Sequence, residues 1–461
     1  MAISTHPKAN ILDNAVLQDV VDGNLRMTSE QASTLYNEMP LIELGRWADA
    51  RCRVLHGDQL RTYIVDRNIN YTNICTAKCT FCAFRRDGHE EDAYTLTYDE
   101  LLQKVQGIVD IGGYQILMQG GMNPDLPLEW YTELLTLIKK KFPQVHVHAF
   151  SPPEIVEFVH FFDTPGNTIE EQVRWVLTKL KDAGLQSIPG GGGEIFAHAV
   201  REKIGLGKCN AEVWLTVMRV AHELGMNTSA TMMFGHIEGI KDRIHHMDMV
   251  RSWQDNSIND FGLAGGGRYN AFISWPFQPD NTALGRVKEW NAESGDVAVF
   301  PGDAVAKLDG TGKKSDHPEF GRRIRLAGSS SYLRTQALSR LFLDNIYSIG
   351  SSWVTMGPAI GQTALFYGAN DMGSVMLEEN VVSAAGTTHC LDEAKICRMI
   401  REAGFTPAKR NNSYNILAVH DGEDAPDKLV KDWSESNKNR LFSHTCDSGS
   451  ESTTVELTVT Q

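Results

Sequence analysis

Cysteine is scarce in this chain, eight in 461 residues, and that scarcity excludes a disulfide-stapled scaffold. Positive charge is also in deficit: 44 Lys and Arg against 58 Asp and Glu leave a formal net charge of -14. Nucleic acid and anionic membrane surfaces reward the opposite sign, so neither is an expected partner. No apolar run approaches the roughly 18 residues of a membrane span. The opening MAISTHPKANILDNAV has no basic stretch followed by an apolar one, so no secretory signal is expected. These deficits together point to a cytoplasmic protein. The remaining composition, 42% hydrophobic and 22% charged, is ordinary for a globular enzyme.

From Thr28 the text TSEQASTLYNEMPLIELGRWADARCRVLHG reads as helices, opened by a capping-type Thr28 or Ser29 and closed at Gly57. The following RTYIVDRNINYTNIC is rich in Ile, Val, Tyr and Thr and reads as a strand. Strands are then expected at 114–119, 144–149, 185–189, 227–232, 270–274, 352–355 and near 368–371. Helices are expected between them at about 97–111, 128–141, 168–183, 211–225, 241–255, 330–343, 358–367 and 392–403. Strand then helix, repeated about eight times, is the signature of a parallel α/β protein. The count favours a closed (βα)8 TIM-type barrel over residues 61–415, with an incomplete six-stranded barrel as the alternative. A helical extension, 1–60, precedes it. The segment 284–329 has little periodicity and follows a strand, so it reads as an inserted loop, either a lid or a plain insertion. From Asp421 to the end the text is rich in Ser, Thr, Asp and Glu, a solvated, disordered acidic tail.

The strongest local signal is Cys75-Thr-Ala-Lys-Cys79-Thr-Phe-Cys82, on the loop after the first barrel strand. Three thiolates on so short a loop can ligate three irons of a 4Fe–4S cubane and leave the fourth open. A structural zinc site would want a fourth ligand at regular spacing, and the scattered remaining cysteines supply none. A non-catalytic iron–sulfur redox protein could use the same three residues. The spacing, with Phe81 before the last cysteine, resembles the radical S-adenosylmethionine superfamily. That resemblance implies a cluster on Cys75, Cys79 and Cys82 with S-adenosylmethionine chelating the open iron. It also implies a 5′-deoxyadenosyl radical formed by one-electron cleavage, with a flavodoxin or ferredoxin as electron donor.

Other elements match the superfamily by position. Gln119-Gly120-Gly121 ends the second predicted strand and resembles the element that holds the amino end of the cofactor, although glycine also simply permits tight turns. Gly235 and Glu238, in TMMFGHIE, resemble the element near adenine, with Thr231 departing from its first glycine; Glu238 can equally cap the next helix. The run Gly190–Gly193 lacks the Lys-Ser/Thr of a phosphate loop, and so reads as a close backbone approach to cofactor or substrate. Glu194 after it can bond ribose hydroxyls or be a helix-start acid. His146 and His148 alternate on a strand and share a face, as a substrate contact or as core and rim residues.

The strings NINYTNIC, IPGGGGEI, NTSATMMFGHIE, AFISWPFQPDNTAL and SWVTMGPAIGQTALFYGANDMGSVMLEENVVSAAGTTH together resemble the family of cyclic dehypoxanthinylfutalosine synthases. These are oxidoreductase cyclases of the futalosine route to menaquinone, and the likeness spans about 40–415. Aminofutalosine synthase and the deazaflavin-cofactor synthases are the competing relatives; Trp275 and Gln278 favour the cyclase. The resemblance implies hydrogen abstraction from ribose C4′ of dehypoxanthinylfutalosine, addition of the carbon radical to the benzoate ring, and loss of one electron and one proton. Such a reaction wants a base near the ring, with His236, Glu194 and Glu154 as candidates. It also wants a cation for the carboxylate, with Arg85, Arg86 and Arg268 as candidates. Trp275 and Phe277 can wall an aromatic substrate. Two stretches depart from the family pattern, 255–270 and 284–329, both longer than usual.

Overall fold

A computed structural model describes residues 9–286 and 326–433. Three helices lead, α1 (Asn14–Asp22), α2 (Ser29–Glu38) and α3 (Leu41–His56). The expected cap is there: Thr28 Oγ1 accepts from the Gln31 amide, and the Gln31 side chain accepts from the Thr28 amide. The chain then enters β1 (Leu60–Ile64) and β2 (Asp66–Ile69), which are one strand interrupted only at Val65. Alternation follows through α4 (Tyr98–Asp110), β3 (Gln115–Met118), α5 (Leu128–Lys141), β4 (His146–Ala149), α6 (Pro152–Phe161) and α7 (Ile169–Ala183). It continues through β5 (Ser187–Ile188), α8 (His198–Ile204), α9 (Ala211–Glu223), β6 (Asn227–Phe234), α10 (Ile240–Gly265) and β7 (Tyr269–Pro276). After the undescribed gap come α11 (Ser329–Phe342), β8 (Ser348–Gly350), α12 (Trp353–Met356), α13 (Pro358–Thr363), β9 (Asp371–Ser374) and α14 (Val381–Ala384). The chain ends in α15 (Glu393–Glu402), β10 (Thr406–Arg410) and β11 (Ile416–Val419).

All neighbours from β2 to β9 pair in parallel, in chain order. The first strand closes the ring, because its β1 half pairs with β9 (Thr62 opposite Asp371) while its β2 half pairs with β3 (Asp66 opposite Gln115). Asp66 bridges that seam, accepting from Gln115 Nε2 at 2.9 Å and from the Ser374 hydroxyl. With β1 and β2 counted as one, the ring has eight positions, the expected (βα)8 barrel. β10 extends the sheet beside β1, and antiparallel β11 covers β10. The loop joining them reaches under the barrel, where Asn412 donates to Gln115 Oε1 at 2.8 Å.

The two faces of the barrel strands explain why it holds a cavity. Outward residues such as Val65, Ile116, Met118, Val147 and Ile188 are buried against the helices. Inward positions are mixed: Asp66, Asn68, Gln115, Gln119 and His148 line a cavity of about 360 Å³ together with Ile64, Leu117, Ile273 and Trp275. An apolar wall carrying a few polar groups suits a ligand with an apolar body and polar ends, because the buried polar side chains need hydrogen-bond partners.

Several expectations need correction. Residues 353–356 are helix, and the strand lies earlier at 348–350; Trp, Val and Thr carry strand propensity that the tertiary context overrides. β10 and β11 were not legible, since TPAKR contains a proline and ILAV is mostly exposed. Helix α6 was missed although Ser151-Pro-Pro-Glu154 carries both a capping box and a proline start. Most of 255–270 continues α10, with a break at Gly262, where φ is 74°. The acidic tail does not begin at Asp421: Asp427 pairs with Arg401 at 2.6 Å and Ala425 is buried. Most of the 284–329 insertion, and residues 434–461, lie outside the described residues.

Candidate active site

The cysteine loop leaves the C-terminal end of β2 and is held by its backbone. The amides of Cys75, Thr76, Lys78 and Thr80 donate to the carbonyls of Arg86, Met122, Leu206 and Ile204 at 2.8–3.1 Å. Cys75, Cys79 and Cys82 share one small apolar cluster with Ala77, Met122, Phe81 and Phe161. Among the described residues no three His, Cys, Asp or Glu side chains converge on a single metal-ion position. Three soft thiols gathered on one loop fit a cubane, which takes one thiolate per iron. Lys208 lies over the Phe81 ring at 5.0 Å and pairs with Glu194 at 2.9 Å.

Gln119, Gly120 and Gly121 come directly beneath this loop. A Cβ on Gly121 would lie 2.1 Å from the Ile74 carbonyl oxygen, and one on Gly120 would lie 2.5 Å from the Tyr71 ring. The two glycines therefore bring β3 and the cysteine loop together. Glu154 locks the arrangement: its Oε1 accepts from Tyr71 Oη (2.7 Å) and the Gly120 amide (3.0 Å), and its Oε2 from the amide and hydroxyl of Ser151. Burial pushes the Glu154 carboxyl up despite those four bonds. Gly121→Ala is expected to destabilise the fold by about 1–3 kcal/mol and to weaken S-adenosylmethionine binding. Thermal denaturation and equilibrium dialysis check this, and a wild-type variant on both counts would sink the close-approach reading.

The turn after β6 is a second knot. Glu238 accepts from the amides of Gly235 (2.7 Å) and His236 (2.8 Å) and pairs with Arg243 at 2.7 Å. Burial alone would raise the Glu238 carboxyl, but His236, Arg243 and the two amides hold it below its ordinary range. His236 is fully buried against Glu238 (3.1 Å) and Phe277, and burial lowers its pKa. These side chains shape the Gly235 turn, which is what they can offer a cofactor.

None of the three expected base candidates lines the cavity: Glu154, His236 and Glu194 are all engaged around it. Glu194 has φ +38° and one buried oxygen without a partner. Arg85 and Arg86 brace the cysteine loop, donating to the carbonyls of Cys75 and of Ala83, and do not reach the cavity. Trp275 lines the cavity and Phe277 does not. Gln278 bonds Pro276 O and sits outside it.

Sequence reasoning missed the cavity's own chemistry. Arg410, from β10, is the cation on its wall, bound to Asp371 at 2.5 and 2.9 Å and stacked over Tyr414 at 3.9 Å. A guanidinium has five N–H donors; Arg410 uses one more on Asn411 O, and the others remain. Glu379 caps α14 and accepts from Asn68. His148 binds Ser187 through Nδ1 alone, and burial lowers its pKa to about 3, so it is a neutral imidazole on the wall.

The family comparisons agree with this geometry. Residues 69–250 match the model of the Radical SAM superfamily, and 320–422 match the CofH/MqnC C-terminal region. The chain is similar to cyclic dehypoxanthine futalosine synthase of Halalkalibacterium halodurans, 38% identical over 90% of this chain and 98% of that protein. The protein of the same name from Streptomyces coelicolor is 36% identical, covering 89% of this chain and 91% of its own. Aminodeoxyfutalosine synthase of Thermus thermophilus is 34% identical, over 89% and 97%. The solved structure of methylornithine synthase (PylB) superposes with a TM-score of 0.57 at 16% identity, covering 85% of this chain and 97% of that one, which shows the barrel fold. On these grounds the chain belongs to the radical S-adenosylmethionine superfamily, in the family of the cyclic dehypoxanthine futalosine synthases.

Proposed function

We propose that this chain is the radical cyclase that closes dehypoxanthinylfutalosine into its cyclic form on the way to menaquinone. The observation that carries this is a barrel cavity that reaches Gln119 at the end of β3 and is lined by Trp275, His148 and Arg410. Those are an aromatic wall, a neutral base and a cation, the three things a ribosylated benzoate asks of a site. The higher identity to the cyclases than to the aminodeoxyfutalosine synthase favours the same reading.

When bound, the cluster on Cys75, Cys79 and Cys82 together with S-adenosylmethionine supplies a 5′-deoxyadenosyl radical. The chain positions the substrate under it. The ribose belongs near Gln119 and Gly191, on the cysteine side, and the carboxylate belongs towards Arg410 at the floor. Asn68, whose Oδ1 is buried without a partner, is placed to accept from a hydroxyl. Holding donor and acceptor carbons in contact is most of the catalysis. His148 takes the ring proton, in place of the three candidates taken from the sequence. A flavodoxin or ferredoxin in the cytoplasm supplies the electron, in keeping with thiols that must stay reduced. No helix of the described residues is long and apolar enough to cross a membrane.

Anaerobically reconstituted protein, given dithionite, S-adenosylmethionine and dehypoxanthinylfutalosine, is expected to form 5′-deoxyadenosine and a product two hydrogens lighter than substrate. Mass spectrometry reads both. Substrate left unconsumed while deoxyadenosine accumulates would move the assignment to another radical enzyme.

A further inference from the structure

His146 and His148 lie on one face of β4, inside the barrel, and open onto different cavities. His148 lines the reaction cavity. His146 lines a second cavity of about 420 Å³ at the opposite, N-terminal end of the barrel, together with Lys139, Gln186 and Asn227. Between the two cavities stands Ser187 of β5, almost wholly buried. Its Oγ is 2.6 Å from His148 Nδ1 and 2.7 Å from His146 Nε2. Beside it Asn412, which donates to Gln115, lines both cavities.

A hydroxyl both donates and accepts, and so does a neutral imidazole. Each ring here commits one nitrogen to Ser187 and keeps the other. We propose that His148, Ser187 and His146 form a proton exit line from the reaction cavity to the N-terminal face of the barrel. The proposal rests on the cyclase reading, in which each turnover expels one proton into the barrel cavity.

The acidic groups on the cavity wall are already engaged. Asp371 is neutralised by Arg410, Glu379 caps α14, and Asp66 is held by Ser374 and Gln115. The charges bearing on the pair are Lys139 of α5 on His146, and His146 and then Arg410 of β10 on His148. Burial first, then these cations, lowers His146 to about 4 and His148 to about 3. Neither ring keeps a second proton at neutral pH, so a proton delivered to one is passed on.

The step balances as follows. The ring C–H bond of the cyclised radical breaks, and its proton goes to His148 Nε2. The bond's electron pair stays in the ring, which becomes aromatic on passing one electron to a one-electron acceptor, an oxidised iron–sulfur cluster by class. His148 gives its Nδ1 proton to Ser187, Ser187 gives its own to His146 Nε2, and His146 releases its Nδ1 proton to solvent in the lower cavity.

The test compares Ser187→Ala with Ser187→Thr, which restores the hydroxyl, and with His146→Phe, which cuts the outlet but leaves His148. Ser187→Ala and His146→Phe are expected to lower the ratio of cyclised product to 5′-deoxyadenosine at least tenfold, the low end of about 10²–10⁴ for a positioned proton-transfer group being reduced by leakage. A solvent deuterium isotope effect on product formation should appear with them, and Ser187→Thr should recover the wild-type ratio. A wild-type ratio with no isotope effect in Ser187→Ala would overturn the line. If the wild-type protein makes no cyclised product, the cyclase reading fails instead. The line is then judged by histidine nitrogen NMR: loss of Ser187 must shift His146 Nε2 and His148 Nδ1, and unmoved resonances would overturn it.

Discussion

Cys79→Ala is expected to give a folded, colourless protein that no longer cleaves S-adenosylmethionine. The loop owes its shape to backbone hydrogen bonds with Arg86, Met122, Leu206 and Ile204, so it survives the loss of one thiol. Cys79 is 8% exposed in a small apolar cluster, and alanine fits that volume with a minor loss of packing. Chemistry, by contrast, depends wholly on the cluster, because no amino-acid side chain generates a carbon radical of this kind. Turnover should fall by at least about 10⁴-fold, since the cofactor accounts for nearly all of a typical enzymatic acceleration. Cys75→Ala and Cys82→Ala should behave alike. Iron content, visible absorbance and circular dichroism separate this from unfolding. Retained cleavage of S-adenosylmethionine in any of the three would end the radical assignment.

Arg410→Met should be the most destabilising single change in the barrel. It removes the bidentate partner of Asp371 and leaves that carboxylate buried, with Thr62 Oγ1 and the Gly373 amide as its remaining bonds. Breaking one side of a buried ion pair costs about 3–5 kcal/mol, because the orphaned charge keeps its desolvation penalty. The double variant Arg410→Met with Asp371→Asn should recover part of that loss, since no charge is then stranded. Denaturant unfolding of the wild type, both singles and the double completes the cycle. A single variant within about 1 kcal/mol of wild type would contradict the pairing. Arg410 also lines the cavity, so the single and the double variant should both bind a benzoate-bearing substrate less tightly than their loss of stability alone explains.

The sequence carried the barrel and its cluster loop for different reasons. Amphipathic helices repeat their apolar residues locally, and Thr28 and Thr97 cap helix starts through side chains three residues deep, so the start of α2 and the whole of α4 were legible almost to the residue. The cysteine loop is legible because all its ligands fall within one turn of chain. β10 was not, because what makes it a strand is β1, more than three hundred residues earlier. The expected bases were likewise chosen by position near strand ends. Glu154, Glu194 and His236 do lie there, but a position says nothing about where the carboxylate or the imidazole finds its hydrogen bonds.

By itself, then, the sequence determined the alternating α/β order, the three thiols and the two glycine elements beneath them, since each is a short-range pattern whose chemistry is complete within a few residues. Only the tertiary structure decided which polar groups face the barrel cavity. The ring closes through Asp66, the hairpin carries Arg410 under the floor, and Ser187 meets both His146 and His148 across two strands. Those contacts join residues remote in the chain, and parallel strands bring them together through helical crossovers that leave no trace in local periodicity.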